Sequence, residues 1–254
     1  MTNLFVAPQH AKILTTNQLN DFDSIWNLKV DWFEEPNMRR GGWSGVGRFQ
    51  LKYNELASLD LFVKKQQNHG RRTLFHPISG EPTFRREFQR LKFLEQNHFS
   101  APKVVFYAES NVDGKPCAIL MTEALSEYVP LDSLSAGWRL TSSRSQQSQL
   151  IQKIATELRR FHNLGLVHRA LYPKHIFVKN AGHSPDIALI DLEKARFSLW
   201  FAYRAFFDLA ALNRHAEGWR STQRLAFFLA YMNIKKLKFF SKLMCRLIVK
   251  RAKR

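Results

Sequence analysis

Apolar and polar positions divide the chain into a strand-rich first half and a helix-rich second half. Short runs in which apolar residues alternate with polar ones, bounded by turn residues, predict five strands, at 26–34, 46–53, 59–65, 104–108 and 118–122. The Asp113-Gly114 pair between the last two strands favours a tight hairpin turn. We therefore expect a small antiparallel sheet in the first half.

Helical spacing of apolar residues marks the other elements. In 82–97 apolar residues recur every three or four positions, namely Phe84, Phe88, Leu91 and Leu94. This spacing predicts an amphipathic helix that packs on the sheet. A second helix is expected at 146–164, and more helices after a segment, 166–191, that holds two short apolar runs around a polar loop. The pattern predicts an α+β protein, with the sheet and one helix in residues 1–124 and a mainly α-helical part in residues 125–254.

Composition limits the class of protein and of partner. A chain of 254 residues with 45% hydrophobic residues can bury a full core. Its net charge of +18 predicts a polyanionic partner, which could be nucleic acid, anionic lipid or a phosphorylated glycan. Two widely separated cysteines support neither a disulfide framework nor a metal cluster. Residues 1–18 lack the pattern of a secretory signal, and 197–212 is too short to cross about 30 Å of hydrocarbon, so we expect a cytoplasmic protein.

A glycine-rich interruption, 36–45, lies between two predicted strands. The glycines here and just beyond are Gly41, Gly42, Gly45 and Gly47. They could let backbone amides approach phosphate oxygens, although glycine-rich hairpins are more often plain turns. Lys64, near the end of the next strand, could reach the same phosphates if the carboxylate of Glu87 held its ammonium group. The alternative is that Lys64 and Lys65 are solvated lysines of an edge strand and Glu87 is a surface charge.

Two downstream segments resemble parts of a protein-kinase active site. LVHRALYPKHIFV at 166–178 is similar to the kinase catalytic loop, and ALIDLE at 188–193 is similar to the strand that ends in the Mg²⁺-binding aspartate. Together with the glycine-rich segment, Lys64 and Glu87, they follow the kinase order over nearly the whole chain. The run EPNMRRGGWSGV at 35–46 resembles the InaA-type branch of the lipopolysaccharide kinase family. This resemblance implies a bilobal protein-kinase-like fold with a very short activation segment.

The resemblance also implies a role for each residue at a matching position. Lys64 would hold the α- and β-phosphates of ATP, Glu87 would orient Lys64, and Asp191 would bind Mg²⁺. The nucleotide would further contact the backbone of Gly42, Gly45, Gly47, Glu123 and Leu125. His168 would hold the catalytic loop in place, and Asp208 would anchor that loop from below unless it is a simple helix-surface acid.

His175 stands where the family of kinases has its second metal ligand. Imidazole is a softer ligand than the oxygens that Mg²⁺ prefers, so direct coordination would require Mn²⁺, or a water molecule would intervene. A role as a hydrogen-bonded anchor of the loop is an equal alternative.

Position 170 departs from the kinase pattern, because Ala170 replaces the aspartate that accepts the substrate proton. A general base contributes about 10²–10⁴-fold to the rate, so its loss slows transfer without removing nucleotide binding. Three interpretations stay open: a slow kinase that uses Glu193 as a substitute base, a kinase that relies on a phosphate of its substrate, and a nucleotide-binding pseudokinase.

The C-terminus predicts a basic amphipathic helix. No acidic residue follows Glu217, and the apolar positions 237, 240, 244, 247 and 248 gather on one face with lysines and arginines opposite. Such a helix suits an anionic membrane surface, and the alternative is a final helix that packs on the second lobe and has a solvated basic side.

The resemblance to the lipopolysaccharide kinase family implies an ATP-dependent phosphotransferase that modifies a sugar hydroxyl of the lipopolysaccharide core. The alternative is a catalytically impaired pseudokinase with a nucleotide-binding or regulatory role. The expected partners are the core glycolipid and the anionic cytoplasmic face of the inner membrane, to which the protein would bind peripherally. Nucleic acid ranks last because the sequence contains no recognition motif for it.

Overall fold

The computed structural model describes residues 4–39, 41–53, 57–71, 81–134 and 141–253. Arg40, in the predicted glycine-rich interruption, and Arg254, in the predicted basic terminus, lie outside these ranges. The chain divides into two compact units, one formed by Met1–His98 and Pro102–Ser126, the other by Phe99–Ala101 and Glu127–Arg254. The division at residue 126 lies two residues beyond the predicted one. Phe99–Ala101 belong to the second unit, in which Leu189 N–H donates to the carbonyl of Ser100.

An antiparallel sheet of seven described strands forms the centre of the first unit. The strands are β1 (Leu4–Val6), β2 (Asp31–Trp32), β3 (Asn37–Arg39), β4 (Gly42–Lys52), β5 (Ser58–Gln67), β8 (Val104–Val112) and β9 (Lys115–Glu123). Their order in the sheet is β1-β8-β9-β5-β4-β2, and β3 also pairs with β4. A separate short pair consists of β6 (Gly70–Arg71) and β7 (Glu81–Pro82).

Two helices that the sequence pattern did not reveal cover one face of this sheet: α1 (Pro8–Thr16) and α2 (Phe22–Trp26). The carboxylate of Asp21 caps α2 by accepting from the N–H of Ser24 at 2.8 Å. Helix α2 thus takes Trp26, so the predicted strand 26–34 is wrong over most of its length and only Asp31–Trp32 are extended. Apolar residues of α1 and α2 share one core with the sheet, among them Leu14, Phe22, Ile25, Leu51 and Val63.

Helix α3 (Thr83–Gln96) packs on the sheet with its apolar side, as its spacing predicted. Phe84, Leu91 and Leu94 are buried, and the ring of Phe88 stacks on Tyr107 of β8 with 4.3 Å between centroids. Cross-strand partners share a face of a sheet. Tyr107 pairs with Leu120 and Leu120 pairs with Lys64, so α3 lies on the face that carries Lys64.

The second unit is mainly helical, as predicted. A three-stranded sheet of β10 (Val129–Pro130), β12 (Ile176–Lys179) and β13 (Asp186–Leu189), with the pair β11 (Leu166–Val167) and β14 (Arg196–Phe197), accompanies four described helices. These are α4 (Arg144–Asn163), α5 (Phe201–His215), α6 (Ser221–Met232) and α7 (Phe239–Ala252). None of the described helices combines the length and apolarity that a membrane crossing requires.

Candidate functional site

The ammonium group of Lys64 is held by the carboxylate of Glu87. Strand β5 carries Lys64 and α3 carries Glu87, and Nζ donates to Oε1 at 2.7 Å and to Oε2 at 2.8 Å. Glu87 is buried and the Lys64 side chain is mostly buried, so water screens this pair only weakly. The alternative of two unrelated surface charges is therefore wrong for these residues. Their catalytic role stays a prediction.

Gln66 fixes the start of α3 from the same face of β5. Its Oε1 accepts from the Thr83 hydroxyl at 2.8 Å and from the Phe84 N–H at 3.1 Å, which satisfies a donor at the helix N-terminus. Arg85 in the first turn of α3 also forms an ion pair with Glu109 of β8, Nε donating to Oε1 at 2.6 Å. These contacts in the first turn of α3 fix the start of the helix just before Glu87. Sequence analysis missed Gln66, although its place two residues after Lys64 puts both on one face.

The glycines of β4 have a packing role that the sequence did not show. Gly42, Gly45 and Gly47 lie inside the strand, so most of the predicted glycine-rich interruption is extended backbone; only Gly41, at φ +75°, adopts a turn conformation that favours glycine. A Cβ at Gly47 would lie 2.4 Å from Val30 Cγ2, and one at Gly45 would lie 2.6 Å from the Trp32 ring.

These two glycines face away from Lys64. Gly45 pairs with Lys65 and Gly47 with Val63, whereas Lys64 pairs with Val46 on the other face. Their missing side chains therefore make room for the 30–32 segment. Contact of the backbone of Gly42, Gly45 and Gly47 with a nucleotide stays a prediction.

Lys65 is a buried structural residue. It is 4% exposed, and Nζ donates to the carbonyls of Trp26 at 2.9 Å and Leu28 at 2.6 Å. Burial lowers the pKa of Lys65 to about 8, because removing the ammonium group from water disfavours its charged form. The alternative of a solvated edge-strand lysine is wrong here: β5 lies between β4 and β9, and Lys65 ties it to the end of α2.

The segment predicted to contact adenine begins at the end of β9. The N–H of Glu123 donates to Lys103 O, and the N–H of Ala124 donates to Asp60 O, both at 2.9 Å. His10 Nε2 lies 2.7 Å from the Glu123 carboxylate. These two backbone donors are therefore engaged within the first unit. The adenine contact stays a prediction.

The carboxylate of Asp208 anchors the loop after β11. Oδ2 accepts from the His168 N–H at 2.6 Å, and Oδ1 accepts from the Arg169 N–H at 2.8 Å. Asp208 is fully buried on α5, so the alternative of a helix-surface acid is wrong. Arg169 has φ +68°, a left-handed conformation that non-glycine residues rarely adopt. The two hydrogen bonds hold the backbone in that conformation.

A buried histidine and tyrosine complete this network, and sequence analysis missed both. His162 on α4 lies with Nε2 3.0 Å from Asp208 Oδ2, and its Nδ1 is 2.5 Å from the Tyr231 hydroxyl. Because a carboxylate accepts, Nε2 carries the proton and Nδ1 accepts from Tyr231. Burial raises the pKa of Tyr231, which keeps its hydroxyl a donor. Three helices, α4, α5 and α6, thereby meet at one carboxylate.

His168 links the loop to the strand before Asp191. Its Nε2 lies 2.9 Å from the carbonyl of Ile190, to which it donates, and its Nδ1 accepts from the Ala170 N–H at 3.3 Å. Full burial lowers the pKa of His168, so the ring is neutral and can serve both contacts. These contacts match the structural role that the resemblance implied.

Ala170 occupies the position of the usual general base, and Glu193 is the candidate that could replace it. Ala170 is only 1% exposed, and its carbonyl accepts from His175 Nδ1 at 2.7 Å. Glu193 lies in a 3-10 turn, Leu192–Lys194, directly after Asp191, and its Oε1 is 3.7 Å from Lys194 Nζ. Glu193 is thus a partly exposed carboxylate two residues from Asp191. Its use as a base stays a prediction.

His175 and Asp191 fit a shared metal ion. Because His175 Nδ1–H donates to Ala170 O and burial lowers the pKa of His175, Nε2 presents a lone pair. His175 Nε2 lies 3.4 Å from Asp191 Oδ2, and a cation bound by the neutral ring and this carboxylate would satisfy both. A ligating histidine commonly donates its other N–H to a carbonyl in this way. No cluster of three or more potential ligands occurs among the described residues.

Two protein ligands are sufficient for such an ion in a nucleotide site. Mg²⁺ is commonly bound through one or two carboxylates together with substrate phosphates and water. The imidazole favours Mn²⁺ over Mg²⁺ for direct coordination. One imidazole and one carboxylate therefore fit a divalent cation, Mn²⁺ better than the Mg²⁺ that the resemblance implied, and both the binding and the identity of this ion stay predictions.

Comparison with known proteins decides the family. Residues 23–231 match the lipopolysaccharide kinase (Kdo/WaaP) family. The chain belongs to this family. It is 30% identical to Protein InaA of Escherichia coli (strain K12) over 202 residues, which cover 78% of this chain and 89% of that protein. The resemblance read from 35–46, 166–178 and 188–193 is thereby confirmed.

A solved structure of the family confirms the predicted fold. The structure described as WaaP in complex with acyl carrier protein matches with a TM-score of 0.70 and covers 99% of this chain and 98% of that chain. At 20% sequence identity this match shows the fold alone. The α+β kinase-like architecture, with an antiparallel N-terminal sheet and a helical C-terminal region, is therefore a property of this member of the lipopolysaccharide kinase family.

The glycine packing leads to a first prediction. Gly47→Ala should lower the free energy of unfolding by about 1–3 kcal/mol, because the new Cβ meets Val30, whose own Cβ is fixed to the backbone. Gly45→Ala should cost less, because the half-exposed Trp32 ring can swing away. Urea unfolding measures both variants. If Gly47→Ala left stability unchanged and weakened nucleotide binding, the packing explanation would be wrong.

The buried network leads to a second prediction. Asp208→Ala removes the acceptor of two backbone N–H groups and of the His162 ring, so it should lower the free energy of unfolding by about 3–5 kcal/mol. Glu217→Ala, at an exposed acid of the same unit, should change it by less than about 0.5 kcal/mol. Denaturant titration of both variants gives the comparison, and equal losses would contradict the anchoring role of Asp208.

Proposed function

We propose that this protein is an ATP-dependent phosphotransferase that acts on a sugar hydroxyl of the lipopolysaccharide core. Membership of the lipopolysaccharide kinase family supports the class of cofactor and substrate. The observation that carries the proposal is the part-buried Lys64–Glu87 ion pair, because a lysine whose ammonium group a buried carboxylate holds in place is poised to contact phosphate oxygens. The candidate metal ligands His175 and Asp191, which lie close together in the second unit, give independent support.

The residues present can perform most of the tasks of phosphoryl transfer. Lys64 provides a fixed positive charge for the α- and β-phosphates, and Glu87 and Gln66 hold that charge and its helix in position. His175 and Asp191 would hold the metal ion, which when bound neutralises phosphate charge. Asp208 and His168 hold the loop and Ile190, the residue before Asp191, in place. Catalysis of this reaction depends mainly on positioning and charge neutralisation.

Proton acceptance is the task for which the usual residue is missing. Ala170 cannot accept a proton, and loss of a general base costs about 10²–10⁴-fold in rate. We propose that Glu193 takes this role, since it is the partly exposed carboxylate nearest in sequence to Asp191. A phosphate already present on the substrate is the other possible acceptor.

The burial of Ala170 favours a second candidate function. A carboxylate at that position would be enclosed unless the loop moved, so the loop is built around a small apolar side chain. A pseudokinase that binds nucleotide and acts as a regulatory protein would need no base there. The buried networks around Lys64 and Asp208 are compatible with this role.

We further propose that the protein works at the anionic cytoplasmic face of the inner membrane. Its net charge of +18 favours phosphorylated glycolipid and anionic lipid as partners. The solved relative is described in complex with acyl carrier protein, so acyl carrier protein is a further candidate partner of this chain.

Nucleotide binding is the first consequence to test. Mg-ATP should raise the melting temperature, because a ligand that binds only the folded state stabilises it, by about 2.7 kcal/mol at a concentration of 100 Kd. Lys64→Met should remove most of this shift, whereas Lys12→Met, at an exposed lysine of the same unit, should retain it. Differential scanning fluorimetry with Mg²⁺ and then Mn²⁺ measures the effect. The absence of any shift at millimolar nucleotide would contradict both candidate functions.

Phosphoryl transfer to isolated core glycolipid separates the two candidates. The parent should transfer radiolabel from ATP slowly, Asp191→Ala should transfer none, and Glu193→Gln should lose activity by about 10²–10⁴-fold while still binding nucleotide. Unchanged turnover in Glu193→Gln would exclude Glu193 as the base. A parent that transfers nothing, with activity gained in a folded Ala170→Asp variant, would favour the pseudokinase; melting curves of that variant show whether the buried carboxylate is tolerated.

A further inference from the structure

The last helix, α7, is attached to the protein by one side only. Ser241 and Ile248, seven residues apart and hence on one face, are its buried residues. Near its end, Arg251 lies over the rings of Phe206 and Phe207 of α5, at 5.2 and 4.9 Å from the centroids. Arg214 of α5 also donates to Arg251 O at 3.0 Å. One face of α7 is therefore fixed to the second unit.

The opposite face carries large apolar side chains that the protein does not cover. Phe239 is 77% exposed and Phe240 81% exposed, and Leu243 and Leu247 are each about half exposed. Phe239, Leu243 and Leu247 recur every four residues, so they form one row along the helix, with Phe240 beside it. The predicted apolar face of this segment is thus divided: Ile248 packs inward, Phe240 and Leu247 point outward, and Leu237 lies before the helix begins.

A row of cations runs beside the apolar row. Lys242, Arg246 and Lys250 are exposed and also recur every four residues. Each follows a member of the apolar row by three positions, which places the two rows next to each other on the outward face. No acidic residue occurs after Glu217, so no carboxylate of this segment neutralises them. We call the two rows and Phe240 together the outward face of α7.

We propose that the outward face of α7 docks the protein on an anionic bilayer. Exposed aromatic and leucine side chains beside lysine and arginine match the two layers of such a surface, since the apolar groups enter the acyl boundary and the cations meet lipid phosphates. An acidic protein partner would explain the cations. It would not explain why two neighbouring phenylalanines are exposed. The assignment of this bilayer to the cytoplasmic face of the inner membrane rests on the proposed function. Docking itself does not, because it requires no phosphoryl transfer.

Vesicle flotation tests this surface with two variants. The parent should bind vesicles that contain phosphatidylglycerol and should bind pure phosphatidylcholine vesicles at least about tenfold more weakly. Phe239→Ser/Phe240→Ser should weaken binding to the anionic vesicles about tenfold through loss of apolar insertion. Lys242→Glu/Arg246→Glu should weaken it by a similar factor, and added salt should reduce the binding of the parent.

Matched controls separate this face from net charge and general stickiness. Lys12→Glu/Lys29→Glu makes the same charge change on exposed residues of the first unit, and Met38→Ser removes a side chain that is 74% exposed there. Both should bind anionic vesicles within about twofold of the parent. Melting curves of all variants should coincide, because every substituted side chain is exposed.

Three results would overturn the proposal: no binding of the parent to anionic vesicles, equal losses in the controls and the α7 variants, or capture by acyl carrier protein without any vesicle binding. None of them depends on ATP. A protein that binds vesicles through α7 but transfers no phosphate would refute the proposed phosphotransferase activity and leave this docking surface intact.

Discussion

The buried carboxylate of Asp208 is the constraint on which the second unit depends. It accepts from two consecutive backbone N–H groups, and it engages a histidine whose other nitrogen accepts from a buried tyrosine. An ion in an apolar interior is tolerated only when such donors surround it. These contacts hold the backbone at Arg169 in its left-handed conformation, from which the chain continues toward Ala170 and His175. His168 carries the same constraint to Ile190, and so to Asp191.

In the first unit the two faces of strand β5 have a comparable effect. Lys64 and Gln66 hold α3 on one face, and Lys65 holds the end of α2 on the other, because successive side chains of a strand point to opposite sides. The glycines of β4 complete the second face by making room for Val30 and Trp32. The lysine expected to meet phosphate thus lies on a strand fixed from both sides.

None of these contacts requires the aspartate that Ala170 replaces. The anchoring hydrogen bonds reach the backbone of His168 and Arg169, and the candidate metal pair is oriented by the carbonyl of residue 170, which any side chain leaves in place. A member of the lipopolysaccharide kinase family can therefore lose this carboxylate and keep the kinase-like fold. The same independence explains why the fold alone does not distinguish an enzyme from a pseudokinase.

The sequence by itself determined the family, the α+β class and the helix α3, and it singled out Lys64, Glu87, His175 and Asp191 as candidate site residues. These depend on local periodicity and on short ordered motifs, which a linear pattern contains. Only the tertiary structure decided the packing role of Gly45 and Gly47, the burial of Lys65 and the network of His162 with Tyr231, since each arises where residues distant in sequence meet. The division of α7 into an inward and an outward face belongs to the same class: periodicity marks an amphipathic helix, but the body on which it packs decides which apolar residues stay exposed.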